Sequence, residues 1–129
     1  MADSPLRVMI VDDSPSIRKA GEKILVAAGC LVMLAEDGFD CASKIKDFDP
    51  QLLFIDVLMP RLDGYQVTQL IRRHNEMKST PVVMLSSKDG LFDKAKGMAA
   101  GATDYLTKPF NREDLINAIV KHVPGFSPL

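Results

Sequence analysis

The stretch LLFIDVLMP at residues 52–60 is apolar except for one carboxylate, which belongs to Asp56. Four residues that suit a protein core, Leu52 to Ile55, come directly before it, and Pro60 turns the chain soon afterwards. Burying an unpaired carboxylate costs several kcal/mol. The stretch therefore predicts a buried strand whose last carboxylate either has partners from elsewhere in the chain or emerges at the strand end to do chemistry.

Similar short apolar runs occur on both sides of this stretch and alternate with longer segments whose apolar residues have helical spacing. Runs that are apolar on both faces are typical of strands in a parallel sheet covered by helices. The predicted strands lie at 7–13, 31–36, 51–57, 81–87 and 103–109, and the predicted helices at about 15–28, 38–48, 64–75, 90–100 and 111–122. This order predicts an α/β fold, with a five-stranded parallel sheet and helices on both faces.

Local signals define several of the helix ends. Ser14 is predicted to cap the first helix, Pro15 to begin it and Gly29 to follow it, while Asn111 is predicted to cap the last helix. Helical spacing also selects the side chains that we expect to face the core. They are Ile17, Ala20, Ile24, Leu25 and Ala28 in the first helix, Phe39, Ala42 and Ile45 in the second, Val67, Leu70 and Ile71 in the third, and Leu115, Ile116, Ile119 and Val120 in the last.

Length and composition limit the class of protein. A chain of 129 residues predicts one domain, and a net charge of −1 argues against a basic nucleic-acid-binding domain. No apolar run approaches the roughly 18 residues of a membrane helix, and no signal-peptide pattern begins the chain. We expect a single cytoplasmic domain with no output domain, no membrane insertion and short flexible tails at 1–5 and 124–129. His74 and His122 are predicted to face solvent near helix ends, and the two cysteines have no metal-binding spacing.

Polar residues lie at the ends of four predicted strands. The first strand ends in Asp12 and Asp13, the third in Asp56, the fourth in Ser86 and Ser87, and the fifth in Lys108. The carboxyl ends of parallel strands meet at one edge of the sheet, where open α/β sheets bind their ligands. We therefore expect these side chains to converge, although each one alone has a plainer explanation as a helix cap, a strand end, a structural hydroxyl or a surface loop.

Three carboxylates at one edge repel one another and favour binding of a hard divalent cation such as Mg²⁺. A lysine ammonium and a serine hydroxyl beside them suit the oxygens of a phosphoryl group. Together these groups supply what an aspartyl-phosphate requires, namely a nucleophile, a metal site and groups that stabilise an anion. The sequence has no GxGxxG, GxxxxGK[ST], GxSxG or HExxH motif that would indicate another chemistry.

Four motifs in this order, VDDS at 11–14, DVLMPRLDG at 56–64, MLSS at 84–87 and YLTKPF at 105–110, resemble the receiver domain of bacterial two-component response regulators. The resemblance covers nearly the whole chain and implies a (βα)5 flavodoxin-like fold. It implies that Asp56 accepts a phosphoryl group from a histidine kinase. It also implies Mg²⁺ ligands at Asp13, Asp56 and the backbone carbonyl of Leu58, with Asp12 acting through a metal-bound water, and contacts from Ser86 and Lys108 to phosphoryl oxygens.

The same resemblance implies a conformational switch. Ser86 is drawn toward the phosphoryl group, Tyr105 turns into the vacated space, and the face formed by the fourth helix, fifth strand and fifth helix changes shape. A cis Lys108–Pro109 bond is implied as well. Leu58 and Lys88 flank the acceptor with an apolar group and a long cation, which predicts slow self-dephosphorylation.

The stretch SSKDGLFDKAKG at 86–97 is most similar to stand-alone receivers of type IV pilus twitching-motility chemosensory systems. This implies a chemotaxis-type kinase as donor, a pilus-related protein as target, recruitment to a membrane-associated complex, and a monomer or weak phosphorylation-dependent dimer. Leu91 and Phe92, after the fourth strand, either pack onto the sheet or form a partner contact. A phosphate sink or a phosphorylation-independent scaffold is an alternative. A Mg²⁺-dependent phosphohydrolase is disfavoured, because such enzymes carry a second carboxylate where this chain has Leu58.

Overall fold

The computed structural model describes residues 4–87 and 91–129, and within them five strands alternate with five helices. The strands are β1 (Arg7–Val11), β2 (Leu31–Ala35), β3 (Leu52–Asp56), β4 (Val82–Ser86) and β5 (Asp104–Thr107). The helices are α1 (Pro15–Ala27), α2 (Gly38–Phe48), α3 (Gly64–Arg73), α4 (Leu91–Ala100) and α5 (Arg112–His122). Each predicted element is present, and the predicted strands extend one or two residues too far at one or both ends.

The described strands form one sheet in the order β2-β1-β3-β4-β5, with every neighbouring pair parallel. The predicted α/β architecture is therefore confirmed. The chain begins in the middle of the sheet and extends first to one side and then to the other, so β1 and β3 lie side by side at the switch in direction. Ligands of such sheets bind in the crevice outside the carboxyl ends of the strands at this switch.

Both faces of the sheet are covered by apolar layers. One layer joins Ile10 and Phe54 to Leu25 of α1 and Leu115 and Ile119 of α5. The other layer is built from β1 and β3 together with α2 and α3, and its members include Met9, Leu53, Ile55, Ile45, Val67 and Ile71. Strand β3 is buried along its whole length, which explains why its sequence is apolar at successive positions.

Side-chain caps fix the starts of the helices that lead away from the sheet edge. The Ser14 hydroxyl accepts from the backbone N–H of Ile17 at 3.4 Å, and Asn111 forms a reciprocal capping box at α5, as the sequence predicted. Asp63 forms a capping box at α3, and the Asp37 side chain caps α2 by accepting from the Asp40 N–H. These caps set where α2 and α3 begin, and therefore the course of the loops that precede them.

Five side chains expected in the core are exposed instead, and two of them are the small Ala20 and Ala42. Phe39, Leu70 and Val120 are each about half exposed. Leu70 directly precedes the buried Ile71, and Val120 directly follows the buried Ile119. Both therefore lie at the border of a buried stripe that spans little more than 100° of the helix. Phe39 lies at the first turn of α2, where Cys41 and Ile45 already occupy the inward positions.

The carboxyl-terminal part of the chain also differs from expectation. His122 was predicted to face solvent, but its Nε2 lies 2.6 Å from Asp104 Oδ2 and its side chain is largely buried. This pair joins the end of α5 to the start of β5. Within segment 124–129, which we expected to be a flexible tail, Phe126 packs on the layer of α1 and α5, and the Leu129 N–H donates to Ala28 O at 3.1 Å.

Two expectations concern parts that the structure does not describe. Lys88 lies outside the described residues, as do the side chains of Leu91 and Phe92. Among the described residues, no helix is both long enough and apolar enough to cross a bilayer.

Candidate functional site

The register of the sheet brings two aspartates together at its carboxyl edge. Val11 of β1 pairs with Ile55 of β3, so the residues that follow them, Asp12 and Asp56, leave the sheet side by side. The apolar residues before each aspartate hold both strands in the core, and this fixes where the carboxylates emerge. The sequence pattern at 52–60 is thus a strand that delivers its carboxylate to a shared pocket.

Three carboxylates converge there, as the sequence predicted. One carboxylate oxygen from each of Asp12, Asp13 and Asp56 lies within 4.8 Å of the other two. Asp12 is completely buried and Asp56 is only 6% exposed, while Asp13 is exposed. The pocket is therefore closed at its base by Asp12 and open to solvent on the side of Asp13.

A single lysine of the described residues reaches this pocket. Lys108 Nζ lies 2.7 Å from Asp12 Oδ2 and 3.1 Å from Asp56 Oδ1. Its backbone N–H donates to Ser86 O at 2.6 Å, and the Lys108–Pro109 peptide bond is cis, as the resemblance implied. Burial lowers the pKa of Lys108, but its close contacts with the charged Asp12 and Asp56 outweigh burial and raise the pKa overall, so the ammonium stays charged.

The buried carboxylate of Asp12 is only partly satisfied. Its Oδ1 accepts from the Ser14 N–H at 2.9 Å, while Oδ2 has no hydrogen-bond partner among the described residues. The contact of Oδ2 with Lys108 is close enough for an ion pair but is not aligned as a hydrogen bond. A buried acceptor of this kind, beside two further carboxylates, fits a hard cation that takes oxygen ligands, such as Mg²⁺.

The electrostatics of the pocket act against ionisation of Asp56. Burial and then the charge of Asp12 raise the pKa of Asp56 from its ordinary value of 3.8 to about 6, although Lys108 opposes them. One ammonium is thus too little positive charge for three carboxylates. A further cation in the pocket would bring the pKa of Asp56 back down.

Two other predicted residues lie around Asp56. The backbone N–H of Leu58 donates weakly to Asp56 Oδ1 at 3.4 Å, and the Leu58 side chain is 70% exposed at the mouth of the pocket. Ser86 is buried at the end of β4, in the row after Leu85, which pairs with Asp56. Its hydroxyl donates to Ser87 O at 3.4 Å.

The predicted switch residue lies on the neighbouring strand. Tyr105 of β5 pairs in register with Met84 of β4 and packs, half-buried, on a small apolar cluster that includes Ala100 of α4. Tyr105 therefore packs on a cluster that includes residues of both the sheet and α4, and β4 lies between its strand and that of Asp56.

The sequence reasoning missed some residues near this edge. Arg18 Nη1 donates to Asp12 O at 2.7 Å, one helical turn after the cap of α1. Asp37, Phe39 and Arg61 form a cluster that joins the start of α2 to the loop after β3. Arg61 lies inside the motif DVLMPRLDG, which was the available signal for its position, whereas its partners lie more than 20 residues earlier.

Comparison with known proteins agrees with this architecture and site. Residues 8–120 match the Response regulator receiver domain family. The chain therefore belongs to the response regulator receiver family, a family of signalling domains rather than classical enzymes, and the predicted family is confirmed.

Individual relatives place the chain more narrowly. It is 56% identical to Protein PilG of Pseudomonas aeruginosa over 96% of this chain and 92% of PilG. Several other curated relatives are longer, and the chain spans only 43–48% of their length. The chain is thus similar to PilG over nearly all of both proteins.

Solved structures share the fold. Chemotaxis protein CheY4 of Vibrio cholerae superposes with a TM-score of 0.88 at 33% identity, over 93% of this chain and 100% of CheY4. The receiver domain of sensor histidine kinase PA1611 from Pseudomonas aeruginosa has a TM-score of 0.85 at 27% identity, over 92% and 98% of the two chains. That domain has a magnesium ion coordinated in its active site cleft.

Proposed function

We propose that this chain is a phosphorylation-controlled switch in which Asp56 accepts a phosphoryl group from a histidine kinase. The observation that carries the proposal is the convergence of Asp12, Asp13 and Asp56 within 4.8 Å, with Lys108 Nζ 3.1 Å from Asp56. A nearly buried carboxylate beside an ammonium and two more carboxylates is poorly explained as a strand end. The three carboxylates and the ammonium are the groups that a site for an aspartyl-phosphate requires.

Asp12, Asp13, Asp56 and the backbone carbonyl of Leu58 would hold Mg²⁺, with Asp12 acting mainly through a water molecule. The buried Asp12 Oδ2, which has an ion pair with Lys108 but no hydrogen-bond partner among the described residues, and the oxygen-only donor set support this assignment. When bound, the ion supplies positive charge that offsets the carboxylates and the phosphoryl oxygens. The magnesium ion in the PA1611 receiver domain supports the same choice of metal.

Phosphoryl transfer requires Asp56 to be ionised, because the carboxylate oxygen is the nucleophile. Lys108 favours the ionised form and stands where it can pair with a phosphoryl oxygen. Ser86 ends the adjacent strand and supplies a hydroxyl that can donate to a second oxygen. The protein residues therefore activate the nucleophile and stabilise the charge that the transferred group brings.

The switch follows from the added charge. A phosphoryl group brings about −1.5 to −2 charge and three strong acceptors, which draw Ser86 and Lys108 toward Asp56. Tyr105 then moves toward the space near Ser86 and alters its packing on α4. The face of α4, β5 and α5 changes shape, and the phosphoryl group shifts the populations of two states of this face.

The biological setting is proposed from the relatives. The 56% identity to PilG, over 92% of that protein, supports a role in type IV pilus twitching motility. The phosphodonor is then a chemotaxis-type histidine kinase, and the output is contact with a pilus-related protein rather than with nucleic acid. The chain acts in the cytoplasm as a single receiver domain, a monomer or a weak dimer after phosphorylation, and is recruited to a membrane-associated complex.

Incubation of the purified protein with acetyl phosphate and Mg²⁺ tests the acceptor. Intact-mass spectrometry should show one added phosphoryl group in the natural protein and in the Asp47→Asn control, whose exposed carboxylate lies on α2. The Asp56→Asn variant should not gain the group, and removal of Mg²⁺ with a chelator should abolish the gain. An unchanged mass of the natural protein, or equal labelling of Asp56→Asn, would refute the proposal.

A second experiment separates the switch from a phosphate sink or a phosphorylation-independent scaffold. Cells that carry Asp56→Asn should lose twitching motility if the phosphorylated form signals. A scaffold should tolerate the substitution. If the chain is a phosphate sink, the substitution should change the phosphorylation of another receiver and leave partner binding unchanged.

A further inference from the structure

A small group of side chains lies at the start of α2 and in the loop after β3, and none of these side chains is assigned to binding of the metal or of the phosphoryl group. This rim cluster consists of Asp37, Phe39, Leu58 and Arg61. Arg61 Nη2 donates to Asp37 Oδ2 at 3.0 Å, and the Arg61 guanidinium carbon lies 5.4 Å from the centre of the Phe39 ring. Leu58 is 70% exposed, Phe39 is 55% exposed and the Arg61 side chain is 67% exposed.

The rim cluster is held in place despite its exposure. Arg61 has a φ of 69°, a left-handed conformation that is costly for a residue with a side chain. The start of α2 packs directly on the loop after β3, because a Cβ at Gly38 would meet Leu62 and Val67. An arginine, an aromatic ring and a leucine are thus presented to solvent by backbone that the fold fixes.

We propose that the rim cluster is the docking surface for the phosphodonor and helps to select it. This inference rests on the proposed function. Transfer brings the reacting atoms to within about 3–3.5 Å of each other, so the donor protein must cover the mouth of the pocket at Asp56. Leu58 follows Asp56 by two residues and Arg61 by five, so a macromolecule that reaches the carboxylate also reaches them. A small donor such as acetyl phosphate enters without this contact.

The chemistry of the rim cluster specifies the partner. Phe39 and Leu58 present apolar surface, and aromatic and arginine side chains are enriched where interfaces bind strongly. The pair with Asp37 occupies one of the five N–H donors of Arg61, so the guanidinium can also bind a partner carboxylate. The occupant is therefore a domain that carries a phosphohistidine with an apolar side chain and an acidic side chain beside it.

The transfer itself balances without another reactant. The bond between phosphorus and the histidine nitrogen breaks, and a bond from the Asp56 carboxylate oxygen to phosphorus forms. The histidine leaves as neutral imidazole after its leaving nitrogen takes up a proton from solvent.

The test compares protein and small-molecule donors on the same variants. A panel of histidine kinases is autophosphorylated with labelled ATP, and the fastest donor for the natural protein is used for Phe39→Ala and Arg61→Gly. Arg61→Gly removes the side chain and suits the left-handed backbone, so it should fold. We expect kcat/KM for transfer from the kinase to fall at least tenfold, mainly through KM, while phosphorylation by acetyl phosphate stays within twofold of the natural rate.

Matched variants define the contribution of each group. Leu70→Ala, which removes a comparably exposed apolar side chain on α3, should leave both rates unchanged. Arg61→Lys should recover part of the lost kcat/KM because it keeps the charge. Asp37→Asn should lower kcat/KM less than Arg61→Gly does, because asparagine can still cap α2 but no longer holds the guanidinium by charge.

The outcomes separate this inference from the proposed function. Normal transfer from the kinase to Phe39→Ala and Arg61→Gly overturns the inference while the proposed function stands, and so does loss of target binding without loss of transfer. If acetyl phosphate labels the natural protein but no histidine kinase does, the donor class is wrong and the inference fails with it. Failure of acetyl phosphate to label Asp56 at all is a failure of the proposed function.

Discussion

Replacing the acceptor carboxylate should stabilise the metal-free protein. Burial and the charge of Asp12 raise the pKa of Asp56 from 3.8 to about 6. A carboxyl group whose pKa is higher in the folded state than in the unfolded state binds more protons when folded, so it destabilises the fold once both states are ionised. Asparagine has nearly the same shape without the charge. The Asp56→Asn variant is therefore expected to have the larger free energy of unfolding at pH 8 in the presence of a chelator.

The size of the effect follows from the pKa. A shift of about 2 units corresponds to about 3 kcal/mol between the two protonation states. Solvent reaches the pocket on the side of the exposed Asp13 and screens the charges, so we expect a gain of about 1–2 kcal/mol. The free energy of unfolding of the natural protein falls below that of the variant by this amount as the pH rises from about 4 to about 6. Above that range the difference between the two proteins stays constant.

Urea denaturation followed by circular dichroism measures the effect, since the chain contains no tryptophan for fluorescence. The two proteins should have similar free energies of unfolding at pH 4, apart from a small constant offset, and should differ at pH 8. Asp47→Asn, at an exposed position on α2, is the control and should show no such dependence on pH. Added Mg²⁺ should stabilise the natural protein by about 2.7 kcal/mol at a concentration one hundredfold above its Kd, and it should stabilise Asp56→Asn by less.

Two results would contradict this reasoning. The first is an Asp56→Asn variant that is less stable than the natural protein at pH 8 in chelator, which would mean that the bond to Lys108 outweighs burial and the charge of Asp12. The second is a stability difference of the same size at pH 4 and pH 8, because an effect of ionisation must disappear where the carboxyl group is protonated.

Three further predictions concern the neighbourhood of the site and the link between β5 and α5. Gly64→Ala should lose about 1–3 kcal/mol in urea denaturation and slow labelling by acetyl phosphate, because the new Cβ would collide with the backbone of Asp56. Burial raises the pKa of Asp104, but the hydrogen bonds from His122 and a backbone N–H lower it overall. The ionised Asp104 therefore stabilises the fold above the unfolded pKa of about 4, and this stabilisation is lost as the pH falls through the folded pKa. In Asp104→Asn, the free energy of unfolding should decrease by about 1 kcal/mol less on acidification than it does in the natural protein. Leu58→Asn should shorten the lifetime of phosphorylated Asp56 several-fold, measured by loss of label in Mg²⁺, because a polar group replaces the apolar one beside the site; an unchanged lifetime would count against the role of Leu58.

The sequence predicts the position of the site for a simple physical reason. Residues that end parallel strands are brought to one edge by the sheet itself, so the order of the elements is enough to bring Asp12 and Asp56 together. The register of Val11 with Ile55 then fixes their spacing. This prediction requires no knowledge of side-chain contacts, because the pairing of the two strands places Asp12 beside Asp56.

Contacts between distant segments were not predictable in the same way. The bond between Asp104 and His122 joins a strand start to a helix end 18 residues later, and nothing in either local sequence marks the partner. Phe39 and Leu70 were placed in the core because helical spacing identifies an apolar stripe but not its borders. The borders depend on which neighbouring elements cover the helix, and this is a property of the fold.

The charge of the pocket links metal binding to phosphorylation. Asp12, Asp13 and Asp56 carry three negative charges when ionised, and Lys108 is the one ammonium that the described residues place among them. A phosphoryl group adds about −1.5 to −2 charge to a pocket that already disfavours the ionised form of Asp56. Without a further cation, both the ionised form of Asp56 and the phosphorylated form of Asp56 are electrostatically unfavourable. The same shortage of positive charge therefore explains the raised pKa of Asp56, and it also explains why phosphorylation of this chain should depend on a divalent metal.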